Sequence, residues 1–325
     1  MEEAQRHEMK LVGTASAMHF LVDGVCICCL YLLLSPFELP ELVGVVLTYN
    51  VMAFLTQPLT GIVADRARQP HLLLLASNAL LAAAVLLAVV TVMTSRLHTS
   101  SICLYGVAIL LGMGNSLFHV WGGRQVAVRT VNDIRLLGVF VSTGAVGLAV
   151  GFVFYSWLLL CVQLLTLSVV SIAYVCRDGA LARAALRTEK GLSIGLPLVC
   201  LLMIVLMAAV MMRSMVSEGF SSGLVNGKVM VLVVGLVAML GKVAGGWIAR
   251  WIGVAKSLAL ILVAVLVCWL YRGIGIGVLL PGLFIINCSM PITLYLANVV
   301  LKGREGLAFG LLAAALIPGY LMTQL

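Results

Sequence analysis

Long apolar runs, broken by short polar ones, make up almost the whole chain. A run of about 20 mostly apolar residues is enough to cross a membrane as a helix. The pattern predicts eleven such helices, over 11–34, 42–64, 71–94, 101–122, 136–155, 157–176, 196–216, 224–249, 256–271, 274–300 and 305–322. Only the region of Tyr155, Ser156 and Trp157 separates the fifth from the sixth. The longest hydrophilic stretch, 177–195, follows helix 6. It reads as a basic, Ala-rich linker lying along the membrane surface, or as a contact for anionic lipid.

Composition agrees and excludes whole classes. Hydrophobic residues make up 63% and charged residues 10%, with a mean hydropathy of +1.18. An average soluble domain carries about 25% charged residues. A soluble enzyme, a nucleic-acid binder and a disordered chain are therefore excluded. The first apolar run is too long for a signal-peptide core and has no small-residue cleavage site behind it.

The net charge of +8 is a topology signal, because basic residues concentrate in cytoplasmic loops. With the N-terminus inside, the inner segments hold Arg6 and Lys10, then Arg66 and Arg68, then Arg124, Arg129 and Arg135. Arg177, Arg183, Arg187 and Lys190 follow, then Lys242, Arg250 and Lys256, and last Lys302 and Arg304. The outer loops hold Arg96 and Arg272, with Arg213 and Lys228 near the outer ends of helices 7 and 8. The expectation is a multi-pass protein of a cell (inner) membrane with a cytoplasmic N-terminus. All nine cysteines lie in or beside apolar runs and read as buried free thiols. The cluster Cys26, Cys28 and Cys29 lacks the usual metal-ligand spacing.

The second half repeats the first. TGIVADRARQ at 60–69 ends helix 2, and GGWIARWIGV at 245–254 ends helix 8. Helices 4 and 10 align through Asn115 and Asn287, which sets His119 opposite Pro291. Gln57 and Lys242 fall at equivalent places, with Lys242 expected at the cytoplasmic rim. This is the parallel six-helix repeat seen between the halves of large secondary transporters. The domains are then 1–176, a linker 177–195, and 196–325 with about five helices.

Here the chain resembles the major facilitator superfamily. Gly61-Ile62-Val63-Ala64-Asp65-Arg66, after helix 2, resembles that superfamily's G-x-x-x-D-R signature. STGAVGLAVG at 142–151 resembles the glycine-rich fifth helix of drug–proton antiporters, although Phe152 stands where a proline is usual. The runs His19–Gly24 and Gly114–His119 resemble the fosmidomycin-resistance type of exporter. The resemblance implies an all-α fold of two six-helix pseudo-repeats, alternating access and proton-coupled export. The superfamily's usual twelfth helix is missing from this reading, since the sequence stops just after helix 11.

Intramembrane ionisable residues are the candidates for chemistry, because each is costly in lipid and faces a bundle interior or wet cavity. His19 and Asp23 share a helical face at a spacing of four, as do Asn115 and His119. These four, with Asn287, are the candidate substrate or proton ligands. Packing pairs within the bundle are the plain alternative. Asp65, Arg66, Arg124 and Arg213 are the candidate gating residues. Asp65 is expected to face a helix N-terminus, and Arg213 to join Glu218 and Lys228 in an outer cluster that gates or binds an anionic substrate, with snorkelling to the interface as the plain alternative.

No Walker loop, H-E-x-x-H or convincing G-x-S-x-G occurs. The sequence therefore reads as a transporter and not an enzyme, driven by a proton gradient with no cofactor or metal. Its expected partners are a small-molecule substrate and membrane lipid, with no nucleic acid, and a monomer is expected. Metabolite uptake by symport is the alternative within the class. A transporter-derived sensor or assembly protein that no longer transports is the alternative outside it.

Overall fold

The computed structural model describes residues 2–35, 39–94, 101–178 and 195–324. Most of the predicted linker lies outside the described residues. All regular structure among those residues is helical. This is what lipid demands, since a helix satisfies its backbone polar groups within one segment.

The first half holds α1 (Glu2–Leu34), α2 (Leu39–Asn50), a π-turn (Val51–Leu55), α3 (Gln57–Arg66), α4 (His71–Thr94), α5 (Ser101–Arg129), α6 (Ile134–Val153) and α7 (Trp157–Asp178). The second holds α8 (Leu196–Ser221), α9 (Lys228–Ile252), α10 (Val254–Leu270), α11 (Ile276–Asn287), α12 (Ser289–Val300), α13 (Glu305–Ala314) and α14 (Leu316–Gln324). Nine stretches among the described residues are long and apolar enough to span a membrane, and two shorter apolar helices, Val254–Leu270 and Glu305–Gly319, accompany them. Large apolar side chains such as Leu86, Met93, Leu165, Trp251 and Leu262 are exposed, as a lipid-facing surface requires. The chain is an integral, multi-pass membrane protein.

Three predicted helices are each broken in two. Helix 2 carries the π-turn before Pro58, which has no N–H to donate. Polar side chains take up carbonyls around this turn: Gln57 Nε2 donates to the Ala53 carbonyl at 2.8 Å, and Thr56 Oγ1 to that of Met52 at 2.6 Å. Helix 10 breaks at Cys288, between Pro281 and Pro291. Helix 11 breaks at Ala315, just before Pro318.

The six-helix repeat predicts how the halves should meet. A pseudo-two-fold axis that carries helix 2 onto helix 8 and helix 5 onto helix 11 turns a 2–11 contact into an 8–5 contact. Both are present, as α3 on α13 and α9 on α6. Glycines allow the close approach. A Cβ on Gly61 would strike the backbone of Gly306, and one on Gly246 the backbone of Ile134. On α6, Gly144, Gly147 and Gly151 form one stripe that seats the helix against α1, where Gly147 abuts the Phe20 carbonyl.

Candidate functional site

A cavity of about 440 Å³ lies between the halves. Its wall on α1 runs from His19 and Asp23 through Ile27 to Leu30 and Tyr31, near the end of that helix. Its deep end is closed by aromatic rings. Phe309 stands 6.5 Å from the His119 ring and 6.3 Å from that of Phe140, centroid to centroid, and fills the space beside Gly123.

Four of the predicted ligands meet here. Asn115 Nδ2 donates to Asp23 Oδ1 at 3.0 Å. His19 Nε2 lies 3.3 Å from Asp23 Oδ2, and His119 Nε2 3.6 Å from Oδ1. The two histidines meet Nε2 to Nε2 at 2.9 Å. Gly144 makes the room, because a Cβ there would overlap both Asp23 and His19.

The tautomers follow from the partners. His19 Nδ1 is 2.8 Å from the Phe140 carbonyl, and His119 Nδ1 is 3.0 Å from that of Asn115. A carbonyl only accepts, so each Nδ1 carries a proton. Two neutral rings would then aim lone pairs at each other across 2.9 Å. One proton between them turns that repulsion into a hydrogen bond, with Asp23 as counter-charge. The same three side chains place one ligand atom each within 4.8 Å of one another. They could therefore also hold a metal ion, through two imidazole nitrogens and a carboxylate.

Asn287 does not join them. Its amide turns back to the Leu283 carbonyl of its own helix at 2.8 Å, and its Cβ packs at Gly241. Beyond the break at Cys288, Met290, Thr293 and Leu294 reach the cavity in its place.

Asp65 lies where the halves touch, away from the cavity. Its Oδ1 accepts from the Gly306 N–H and its Oδ2 from the Leu307 N–H, both at 2.9 Å, at the N-terminus of α13. Arg124 Nε donates to Oδ1 at 3.1 Å, and Arg124 is buried. Charge-assisted bonds to free helix N–H groups are strong, so this carboxylate ties α3 to α13 at this end. A second bridge stands nearby. Asn132 Nδ2 donates to the Tyr295 carbonyl at 3.2 Å, and Asn298 Nδ2 donates to Asn132 Oδ1 at 2.9 Å. Arg66 is exposed, and its side chain makes no ion pair among the described residues.

Two basic residues sit where the sequence reading did not put them. Arg213 is 7% exposed and lines the cavity, and so does Lys242. The predicted outer cluster does not assemble: Glu218 instead accepts from Ser221 Oγ, and Lys228 is exposed at the start of α9. Arg213 belongs to the cavity because α8 continues to Ser221, which carries the residue inward from the helix end. Lys242 lies mid-helix in α9, away from the rim. Gln57 lines the same cavity.

No known protein-family profile and no curated protein matches the chain by sequence. Solved structures do match by shape. The E. coli fucose:proton symporter FucP aligns with a TM-score of 0.61 at 12% identity, and a structure of FucP in the outward conformation with 0.65 at 13%. A bacterial homologue of the iron transporter ferroportin, in an outward-facing state with soaked iron, aligns with 0.64 at 14%. Each alignment covers 97% of this chain and 90% of the other. The chain has the fold of the major facilitator superfamily of transporters.

Proposed function

We propose that the protein is a secondary transporter that moves a small molecule by alternating access and couples that movement to a proton. The observation that carries the reading is the pair of buried histidines whose Nε2 atoms meet at 2.9 Å beside Asp23, at the deep end of a cavity between the halves. Such a cluster gains or loses one proton without rearranging its carbonyl anchors. Tyr31, Tyr49, Arg213 and Lys242 are the other titratable groups on the cavity wall, and Cys26 Sγ lies behind Asn115.

The bonds at Asp65 shut one end, and the cavity extends the other way toward Leu30 and Tyr31. This is the layout of one limiting state of an alternating-access cycle. It fits the outward states named for two of the structural neighbours. By the charge pattern, the shut end is cytoplasmic.

Proton-driven export is what the resemblance at 19–24, 114–119 and 142–151 implies. Antiport requires substrate and proton to displace each other at the cluster. Uptake by symport, as in a fucose:proton symporter, requires them to bind together. The sign of that linkage decides between them.

A divalent metal held by His19, Asp23 and His119 is the second reading, favoured by their converging ligand atoms and by the iron soaked into one structural neighbour. The unpaired Arg213 and Lys242 in the same cavity weigh against it.

The test is proton release and uptake by detergent-solubilised protein after a pH jump, with and without Zn²⁺, Mn²⁺ and Fe²⁺. The proton reading expects one proton per chain, lost in His119→Gln and Asp23→Asn, and no stabilisation by metal. Metal-specific stabilisation that vanishes in His119→Gln would install the second reading instead.

A further inference from the structure

We infer that the cavity takes an anionic headgroup, a carboxylate or phosphate, against Arg213 and Lys242. The inference rests on the transport reading for what happens to the anion afterwards, but not for its binding.

Start with the cations. Arg213 lies in the interior with its Nε lacking any hydrogen-bond acceptor. No carboxylate among the described residues comes within ion-pair distance of it or of Lys242. Asp23 is already engaged by His19, His119 and Asn115. Two cations without counter-charges, within membrane-spanning helices, are costly unless something compensates them. A guanidinium fork suits a carboxylate or phosphate. The rest of the wall is mostly apolar, with Ile27, Val46, Phe54, Leu148 and Leu312 around it. The favoured ligand therefore has a small anionic head and an apolar or aromatic body.

The probes are benzoate and phenylphosphonate, with isosteric benzamide and cationic benzylamine as controls. Binding is measured by calorimetry on the full chain in zwitterionic nanodiscs near neutral pH. The expected result is binding of the anions only. Arg213→Gln and Lys242→Gln should each abolish it, while Lys228→Gln, at an exposed site, should not.

Because each charge is uncompensated without ligand, the two cavity variants should melt at or above the wild-type temperature. A lower Tm in both would mark Arg213 and Lys242 as structural and overturn the proposal. Anion binding that survives both substitutions, or equal binding of benzamide, would also overturn it.

A parallel arm uses nanodiscs containing phosphatidylglycerol. Stabilisation there that needs Arg213, with no binding of the free anions, keeps the anionic headgroup and assigns it to lipid. No response to any anion in either membrane refutes the site. Spin-label distances across the two ends of the molecule separate this from failure of the transport reading. Alternation with pH but no anion binding sinks only the anion. Anion binding without alternation sinks only transport.

Discussion

At the residue scale, space and charge at the histidine pair are set together. Gly144 is the tightest test of the space. In Gly144→Ala the methyl group overlaps Asp23 and His19. Overpacking of that kind costs about 1–3 kcal/mol, so a lower Tm and loss of the single-proton uptake are expected together. Asp23→Asn keeps the shape and removes the charge. Proton-driven flux should fall by more than about tenfold, because the imidazolium loses a counter-charge worth at least about 1.4 kcal/mol at such depth. Flux assays in liposomes with and without a pH gradient check this.

Much of the site was legible in the sequence. His19 with Asp23, and Asn115 with His119, share helical faces by their spacing alone. Gly144 and the Phe140 carbonyl were not legible, because they reach the site only through the packing of α6 on α1. Arg213 and Lys242 were hidden for another reason. A basic residue near the end of a predicted span reads as snorkelling to the interface, and both were grouped with loop charges. Asn287 misled because the repeat aligned it with Asn115, whereas its amide bonds its own helix.

At the element scale, helix ends and breaks shape the cavity wall, where Gln57 and Phe54 border the break in helix 2 and Met290 and Thr293 follow that in helix 10. The pattern of apolar runs located the spans but not their interruptions, since a π-turn leaves hydropathy unchanged. The signal that was present is Pro58 beside Thr56 and Gln57. Gln57→Leu should strand the Ala53 carbonyl in the interior and destabilise the protein by about 1–3 kcal/mol, measurable as a lower Tm in nanodiscs.

The start of α6 offers a test that does not involve transport. Asp133 caps it, accepting from the Arg135 N–H at 2.9 Å and from the Arg135 guanidinium at 2.7 and 3.1 Å. Burial works to raise the Asp133 carboxyl, but those bonds outweigh it and hold it below the ordinary carboxylate value. A depressed carboxyl contributes stability at neutral pH and loses it as pH falls through the folded value. Asp133→Ala should therefore cost about 1 kcal/mol near neutral pH, with the difference from wild type shrinking in acid below the carboxylate range. A Tm series against pH reads this directly.

At the scale of the whole molecule, the two halves meet along two seams, α3 on α13 and α6 on α9, and glycine contacts let both close tightly. One end is held by Asp65 on the α13 N-terminus and by Asn132 on Tyr295 and Asn298. Those bonds cross from one half to the other, so they must break if the molecule is to open there. Asp65→Asn removes the charge that faces the helix dipole, an effect worth up to about 2 kcal/mol in partly buried geometry. It should shift the population toward opening at this end. The signature at 61–66 made an acid facing a helix N-terminus legible, but not that the helix is α13. Which end is closed could only be seen with the halves in place.

Alternation between the two ends is the central claim, and pulsed electron–electron distance measurements test it most directly. Bio-orthogonal labels would replace Arg66 and Arg304 at the Asp65 end, and Phe154 and Ile274 at the other; all four side chains are exposed. The expected result is two populations whose distances change in opposite senses, shifting with pH in wild type and displaced toward opening at the Asp65 end in Asp65→Asn. A single distance at each end, unmoved by pH and by that substitution, would contradict the account.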